Sequence, residues 1–323
     1  MQELYLALDI LNKNTKIWLN YTIGGIISLL LLWGIYVQVT KQLNSIDAAA
    51  WKQTGPEIYL WAGLLLMPAN VLLEAYKWYV LVKSAQEITY WGALKSYLAG
   101  IAFSVITPNR IGEYPGRILY MQRKSTYRLV NVSVLGSVSQ LLCLFLFGLA
   151  GLIYYNIAFP DYGGKIALIA CIPATVFIAV LYWRFEVWLP ILGRIRWLNK
   201  YIMYGRLLGR FTAKRQLFVL SISLLRFAIF TAQYLFLLRW LNVYVPMPEG
   251  FLMGSLFFWG MAVVPSIALT EIGERGLIST YLFHHFSQNT VGIMGATLGL
   301  WIVNLIIPAI IGSVLLFRMR LLR

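Results

Sequence analysis

Residues 107–117 read Thr-Pro-Asn-Arg-Ile-Gly-Glu-Tyr-Pro-Gly-Arg, and residues 265–276 read Pro-Ser-Ile-Ala-Leu-Thr-Glu-Ile-Gly-Glu-Arg-Gly. Each stretch ends an apolar run, 92–108 in the first case and 250–269 in the second, and breaks it with proline, glycine and charge. Both contain Ile-Gly-Glu, at 111–113 and at 272–274, a shift of 161 residues or half the chain. The same shift carries the apolar run 57–82 onto 218–243, beside the run at 216–241. It carries 131–158 onto 292–319, beside the run at 292–317. Three apolar runs and a motif in one register make an internal repeat, which decides the fold before any local detail does. The chain divides into halves 1–160 and 161–323.

Composition says what solvent these runs meet. Of 323 residues, 60% are hydrophobic and 12% charged, against about 25% charged in a soluble domain. A bilayer core takes about 20 apolar residues per helix. Full spans are expected at 17–39, 57–82, 131–158, 165–183, 216–241 and 292–317. The first has no small-residue cleavage site and reads as a retained anchor. The net charge of +15 points to anionic lipid headgroups rather than to nucleic acid, because no soluble element is present to read a groove. Cys143 and Cys171 lie inside apolar runs and read as reduced packing residues, and no Cys/His cluster has metal spacing. No metal or other cofactor is expected.

Charge placement gives an expected topology. Twenty of the 27 Lys and Arg residues fall at 13–16, 83–95, 110–128, 184–215 and the tail 318–323. Eight simple crossings would put 83–95 and 110–128 on opposite faces, against the positive-inside rule. The conflict vanishes if 92–128 and 250–290 each enter the membrane and return on the same side. Six helices then cross, all five clusters and both termini are cytoplasmic, and each half has an odd number of crossings. The expected fold is an all-α polytopic membrane protein: an inverted repeat with one re-entrant hairpin from each face of the cytoplasmic (inner) membrane.

Broken helices that meet near the midplane of inverted repeats are a transporter design. The hairpin tips carry Arg110, Glu113 and Arg117 on one side and Glu271, Glu274 and Arg275 on the other. Six unpaired charges in hydrocarbon would cost on the order of 15 kcal/mol, so these groups must be paired or wet. Pro108, Gly112, Pro265 and Gly273 are the expected hinge positions, since proline removes a donor and glycine permits a tight turn. Glu74 and Arg226 are charges inside spans and need partners or a cavity. Lys77 is close enough to its helix end to snorkel, and Gln233 suits a bridge between helices. His284 and His285 read as interfacial. Arg206, Arg210 and Lys214 share one helical face, as in an interfacial amphipathic helix, and the same basic stretch also reads as a plain positive-inside loop. No nucleophile elbow, phosphate loop or other catalytic motif occurs.

The sequence resembles the membrane region of the lysylphosphatidylglycerol synthase family, the flippase-like integral membrane proteins. Lys77-Trp78 matches a basic-Trp pair late in an early helix. Pro108, Arg110, Gly112, Glu113 and Arg117 match Pro-x-Arg-x-Gly-Glu with a following arginine. Pro265, Gly273 and Glu274 stand in for a later, looser element, although Ala268-Leu269-Thr270-Glu271 replaces the usual Gly-Gly pair. The resemblance implies movement of anionic phospholipid or polyprenyl-linked amphiphiles between leaflets, without the aminoacyl-transfer activity of the family's soluble domain. Two rivals stand beside a flippase: a membrane-embedded transferase acting on a lipid headgroup, and an accessory subunit of a lipid-modifying enzyme. A homo-oligomer is left open.

Overall fold

The computed structural model describes residues 22, 25–27, 29–30, 32–37, 40, 54–105, 107, 110–119, 121, 126–184, 212–264 and 271–317. The expected anchor at 17–39 is described only in part, as a short apolar helix at Gly25–Val37. Pro108, Pro265, Arg206 and Arg210 lie outside the described residues, as does the side chain of Glu271.

The described chain is helical: α1 (Glu57–Val82), α2 (Tyr90–Val105), α3 (Glu113–Leu119), α4 (Thr126–Ala158), α5 (Tyr162–Trp183), α6 (Ala213–Trp240), α7 (Met247–Val263), α8 (Glu271–Phe283) and α9 (Thr290–Trp301). A π-helical segment, Ile302–Ile306, joins α9 to α10 (Ile307–Phe317). In lipid a helix satisfies its own backbone groups, which is why apolar runs of this length fold this way. Among the described residues, α1, α4, α5, α6 and the α9–α10 rod are long and apolar enough to cross a membrane. The protein is therefore a multi-pass membrane protein. α2, α3, α7 and α8 are shorter. At 1.5 Å per residue, even the 17 residues of α7 reach about 26 Å, less than a hydrocarbon core of about 30 Å.

These short helices form two hairpins. In the first, Gly112 lies against the carbonyl of Phe103, Gly116 against Gly100, and Ser96 donates to the carbonyl of Arg117 at 2.8 Å. The pairing of rising with falling numbers makes α2 and α3 antiparallel. The ends of this hairpin also meet, since Gln86 Nε2 lies 2.9 Å from Met121 Sδ. In the second hairpin, Gly260 of α7 faces Ile278 of α8. Its ends meet as well: Asn289 Nδ2 donates to the carbonyl of Leu241 at 2.9 Å.

α1 and α6 pack along each other, with Gly63 against Leu237 at one end and the Val80 carbonyl accepting from Arg215 Nη2 at the other. They are thus antiparallel. The first hairpin closes just beyond the C-terminus of α1 and the second just beyond the C-terminus of α6, so the two closures lie at opposite ends of this pair. α2 packs on α10, and α7 packs on α4. Glycine makes both contacts close. Gly151 of α4 leaves room for the Leu252 carbonyl of α7, and Gly312 of α10 leaves room for the Leu98 carbonyl of α2. Gly151 and Gly312 are 161 residues apart, the shift read from the sequence.

Candidate functional site

α1 places Asn70, Glu74 and Lys77 on one face, at i, i+4 and i+7, the spacing that stacks side chains along a helix. This face is buried, with Asn70 at 3%, Glu74 at 4% and Lys77 at 2% exposure. Glu74 is a hub for three cations. Its Oε1 accepts from Arg117 Nη2 at 3.1 Å, and its Oε2 faces Lys77 Nζ at 2.7 Å and Arg226 Nη1 at 3.0 Å. Arg117 also pairs with Glu113 one turn earlier on α3. Three cations face two carboxylates, so the cluster carries one excess positive charge.

Neutral groups complete it. Arg226 Nε donates to Asn70 Oδ1 at 2.7 Å, and its Nη1 donates to Gln140 Oε1 at 3.1 Å. Lys77 Nζ reaches the same Gln140 oxygen at 3.5 Å. The Arg117 guanidinium lies 5.0 Å from the ring centres of both Trp78 and Tyr97, a cation–π arrangement that fixes its plane. Ser96 accepts from Trp78 Nε1 at 2.9 Å and holds the Arg117 carbonyl. Each partner satisfies a group that would be costly to bury alone.

The cluster opens on a cavity of about 530 Å³. Arg110, Glu113, Arg117, Glu74, Arg226 and Arg275 all line it, together with Lys77, Asn70, Gln140 and Asn304. Asn70, Gln140, Arg226 and Asn304 sit within a few residues of the middle of their helices or, for Asn304, of the α9–α10 rod. The polar chamber therefore lies at the mid-length of the bundle. Asn304 falls in the π segment, and π-bulges inside helices are frequent at functional sites. Arg110, at the tip of the first hairpin, has φ of 56°, a left-handed conformation uncommon for a side chain of this kind.

The sequence-level candidates divide as follows. Glu74 and Arg226, expected to need partners, are each other's partner across α1 and α6. Glu113 and Arg117 join them from the first hairpin, and Arg275 reaches the same cavity from the second. Glu274 is half-buried on α8 and does not line the cavity. Gly112 makes the close approach to Phe103, whereas Gly273 lies within the first turn of α8 with nothing within 4 Å of the place a Cβ would take. Lys77 corrects an expectation. It does not snorkel, because its pairing with Glu74 keeps it buried inside the bundle. Gln233 does bridge helices, donating to the Gly63 carbonyl at 2.8 Å and accepting from Asn304 at 2.9 Å. His284 and His285 are exposed, with His285 stacked on Phe159. Asn70 and Gln140 were missed by sequence reasoning, although an amide in a long apolar run, at helical spacing from Glu74 in the first case, was a visible signal.

The family profile described as the lysylphosphatidylglycerol synthase TM region matches residues 21–312. The chain belongs to this family. No curated protein and no solved structure matches it. The match spans every helix that builds the cavity. Membership in the lysylphosphatidylglycerol synthase TM region family thus agrees with the resemblance carried by Lys77-Trp78 and by Arg110, Gly112, Glu113 and Arg117. It relates this membrane protein to the handling of lipid headgroups.

Proposed function

We propose that the protein is a flippase or lipid transporter that passes an anionic lipid headgroup between leaflets through the charged cavity. The observation that carries this reading is the buried cluster of Glu74, Lys77, Glu113, Arg117 and Arg226, with its excess positive charge, beside a cavity at the mid-length of a lipid-bathed bundle. A charge at the centre of a membrane costs about 2.5–3.5 kcal/mol on insertion scales. Five charges kept there, around an open chamber, fit a path for a polar group better than they fit a packing core. The headgroup passes the hairpin tips while the rest of the lipid stays in contact with apolar surface. Arg226 and Arg117 attract the anion, and Glu74 and Glu113 hold those arginines in place.

The architecture belongs to the same proposal. The two hairpins are re-entrant, from opposite faces, in an inverted repeat of 1–160 and 161–323. The adjacent ends of each hairpin, the antiparallel α1–α6 pair and the matched contacts at Gly151 and Gly312 support it. The basic clusters put both termini on the cytoplasmic side of an inner membrane. In this arrangement the cavity would open to alternate faces as one half rocks against the other.

The test is a proteoliposome assay with purified full-length chain and a labelled anionic phospholipid. Protein-dependent movement of unmodified lipid, lost in Arg226→Gln, supports transport. A new lipid product by mass spectrometry, without movement, would replace it with the headgroup-transferase reading.

A further inference from the structure

Among the buried side-chain donors beside the cavity that find no acceptor among the described residues are two neutral ones, Asn70 Nδ2 and Trp301 Nε1. Both residues line the cavity, and both are 3% exposed. The orientation of the Asn70 amide is fixed by its neighbour, because its oxygen is taken by Arg226 Nε at 2.7 Å. Its NH2 group must therefore point elsewhere. A buried N–H without a partner carries a desolvation cost, and this one stands next to a cluster that already has one positive charge too many. Donors and positive charge in excess at one place describe a site that lacks an acceptor with negative charge. A cation would have to compete for the Glu74 and Glu113 carboxylates with Lys77, Arg117 and Arg226, which already hold them.

The wall continues into apolar surface without a gap. Phe230 follows Arg226 by one helical turn on α6, and its ring lies 4.8 Å from that of Phe258 on α7. Both rings line the same cavity. The anion-seeking wall and the aromatic wall are thus one helical turn apart, on the order of 6 Å.

We propose that Asn70 and Trp301 join Arg226 in an oxyanion subsite, and that its ligand is a phosphate esterified directly to an apolar chain whose first carbons lie on Phe230 and Phe258. The inference rests on the transport reading above and narrows its substrate. A chain-bearing phosphate brings charge and hydrocarbon into contact over the same short distance that separates Arg226 from Phe230. The chain is held partly inside the protein rather than left wholly in the bilayer.

The test uses the full-length chain in neutral detergent, with decyl phosphate as the probe. Tryptophan indoles are labelled with nitrogen-15, and the Trp301 signal is assigned by its loss in Trp301→Phe. Decyl phosphate should shift the Trp301 indole proton downfield, and decyltrimethylammonium and decanol should not. Inorganic phosphate at the same concentration should leave it in place. Asn70→Asp keeps the acceptor for Arg226 and removes the donor, so it should fold and bind decyl phosphate about tenfold more weakly or worse. Phe230→Ala should weaken decyl phosphate in the same way. An equal shift with inorganic phosphate would overturn the chain-bearing ligand. Saturable binding of decyl phosphate with an unmoved Trp301 signal and an indifferent Asn70→Asp would overturn the subsite while leaving transport standing. Failure of every anionic amphiphile to bind would overturn both.

Discussion

The two hairpins carry the same Ile-Gly-Glu string and are held in different ways. In the α2–α3 hairpin, Gly112 packs against the Phe103 carbonyl, Glu113 pairs with Arg117, and Arg117 crosses to Glu74 on α1 between the rings of Trp78 and Tyr97. In the α7–α8 hairpin, Gly273 faces open space, and Arg275 lines the cavity while Glu274 does not. The scaffold around them is matched, with α2 on α10 and α7 on α4, each through a glycine 161 residues from the other. The lesson is that helix packing and chemistry separate. The contacts of α2 on α10 and of α7 on α4 are alike because each needs only a small residue opposite a backbone. Among the described residues the ion-paired cluster centres on Glu74 and the first hairpin, and a second such cluster would bury five more charges.

The sharpest break of this comparison is Glu74→Gln. It leaves Lys77, Arg117 and Arg226 facing Glu113 alone. Removing one partner of a buried ion pair costs about 3–5 kcal/mol. Thermal unfolding in detergent should show a large loss of stability, and an unchanged midpoint would remove Glu74 from the hub.

The glycines sharpen it next. Gly112→Ala drives a Cβ into the Phe103 carbonyl and should cost about 1–3 kcal/mol. Gly273→Ala meets nothing and should be neutral, or stabilising by about 0.5–1 kcal/mol, as for glycine within a helix. On the matched scaffold, Gly151→Ala and Gly312→Ala should cost alike. Comparable losses at Gly112 and Gly273, from the same melting curves, would show that the hairpins are held alike.

Arg117→Ala separates charge from fold. The remaining cluster has two cations and two carboxylates, so the bundle should accumulate near wild-type level. Transport in proteoliposomes should fall about tenfold or more, equivalent to about 1.4 kcal/mol. Arg117→Lys should not restore it, because an ammonium cannot address two carboxylates and two ring faces with one planar fork. Full activity of Arg117→Ala would sink the role given to the first hairpin.

The smallest effect lies outside the spans. Asp161 caps α5 by accepting from the Gly164 N–H, with help from the Tyr281 hydroxyl, and these hold its carboxyl below the ordinary carboxylate range. A carboxyl lowered on folding stabilises above its unfolded pKa of about 3.9, and that contribution is lost as pH falls through the folded value. Wild type should lose slightly more melting temperature on acidification below about pH 4 than Asp161→Asn does. Parallel curves would remove the cap from the account.

Much of this was legible in the chain. The apolar runs located five long helices, and the breaks at 107–117 and 265–276 fell at the junctions of the short helices α2 with α3 and α7 with α8. The need for partners at Glu74 and Arg226 followed from their depth. That each is the other's partner did not, because α1 and α6 lie 156 residues apart at the Asn70–Arg226 contact and only packing brings them together. Lys77 misled for the same reason. Its distance from the helix end allowed an escape to water, and Glu74, one turn away, made burial the better alternative. Gln140 was marked in the sequence only as an amide in an apolar run, and Trp301 not at all, since a lone indole takes its meaning from the cavity it borders.

The central claim is that both hairpins return to the face they left, so that their tips and the charge cluster share one chamber. Membrane-impermeant thiol labelling tests it directly. With Cys143 and Cys171 replaced, single cysteines at Glu87 and Thr126 should label from the cytoplasmic side alone, and those at Glu249 and Gln288 from the opposite side alone. Labelling of Glu87 and Thr126 from different sides would mean that α2 and α3 together cross the membrane, and the chamber as described would not exist.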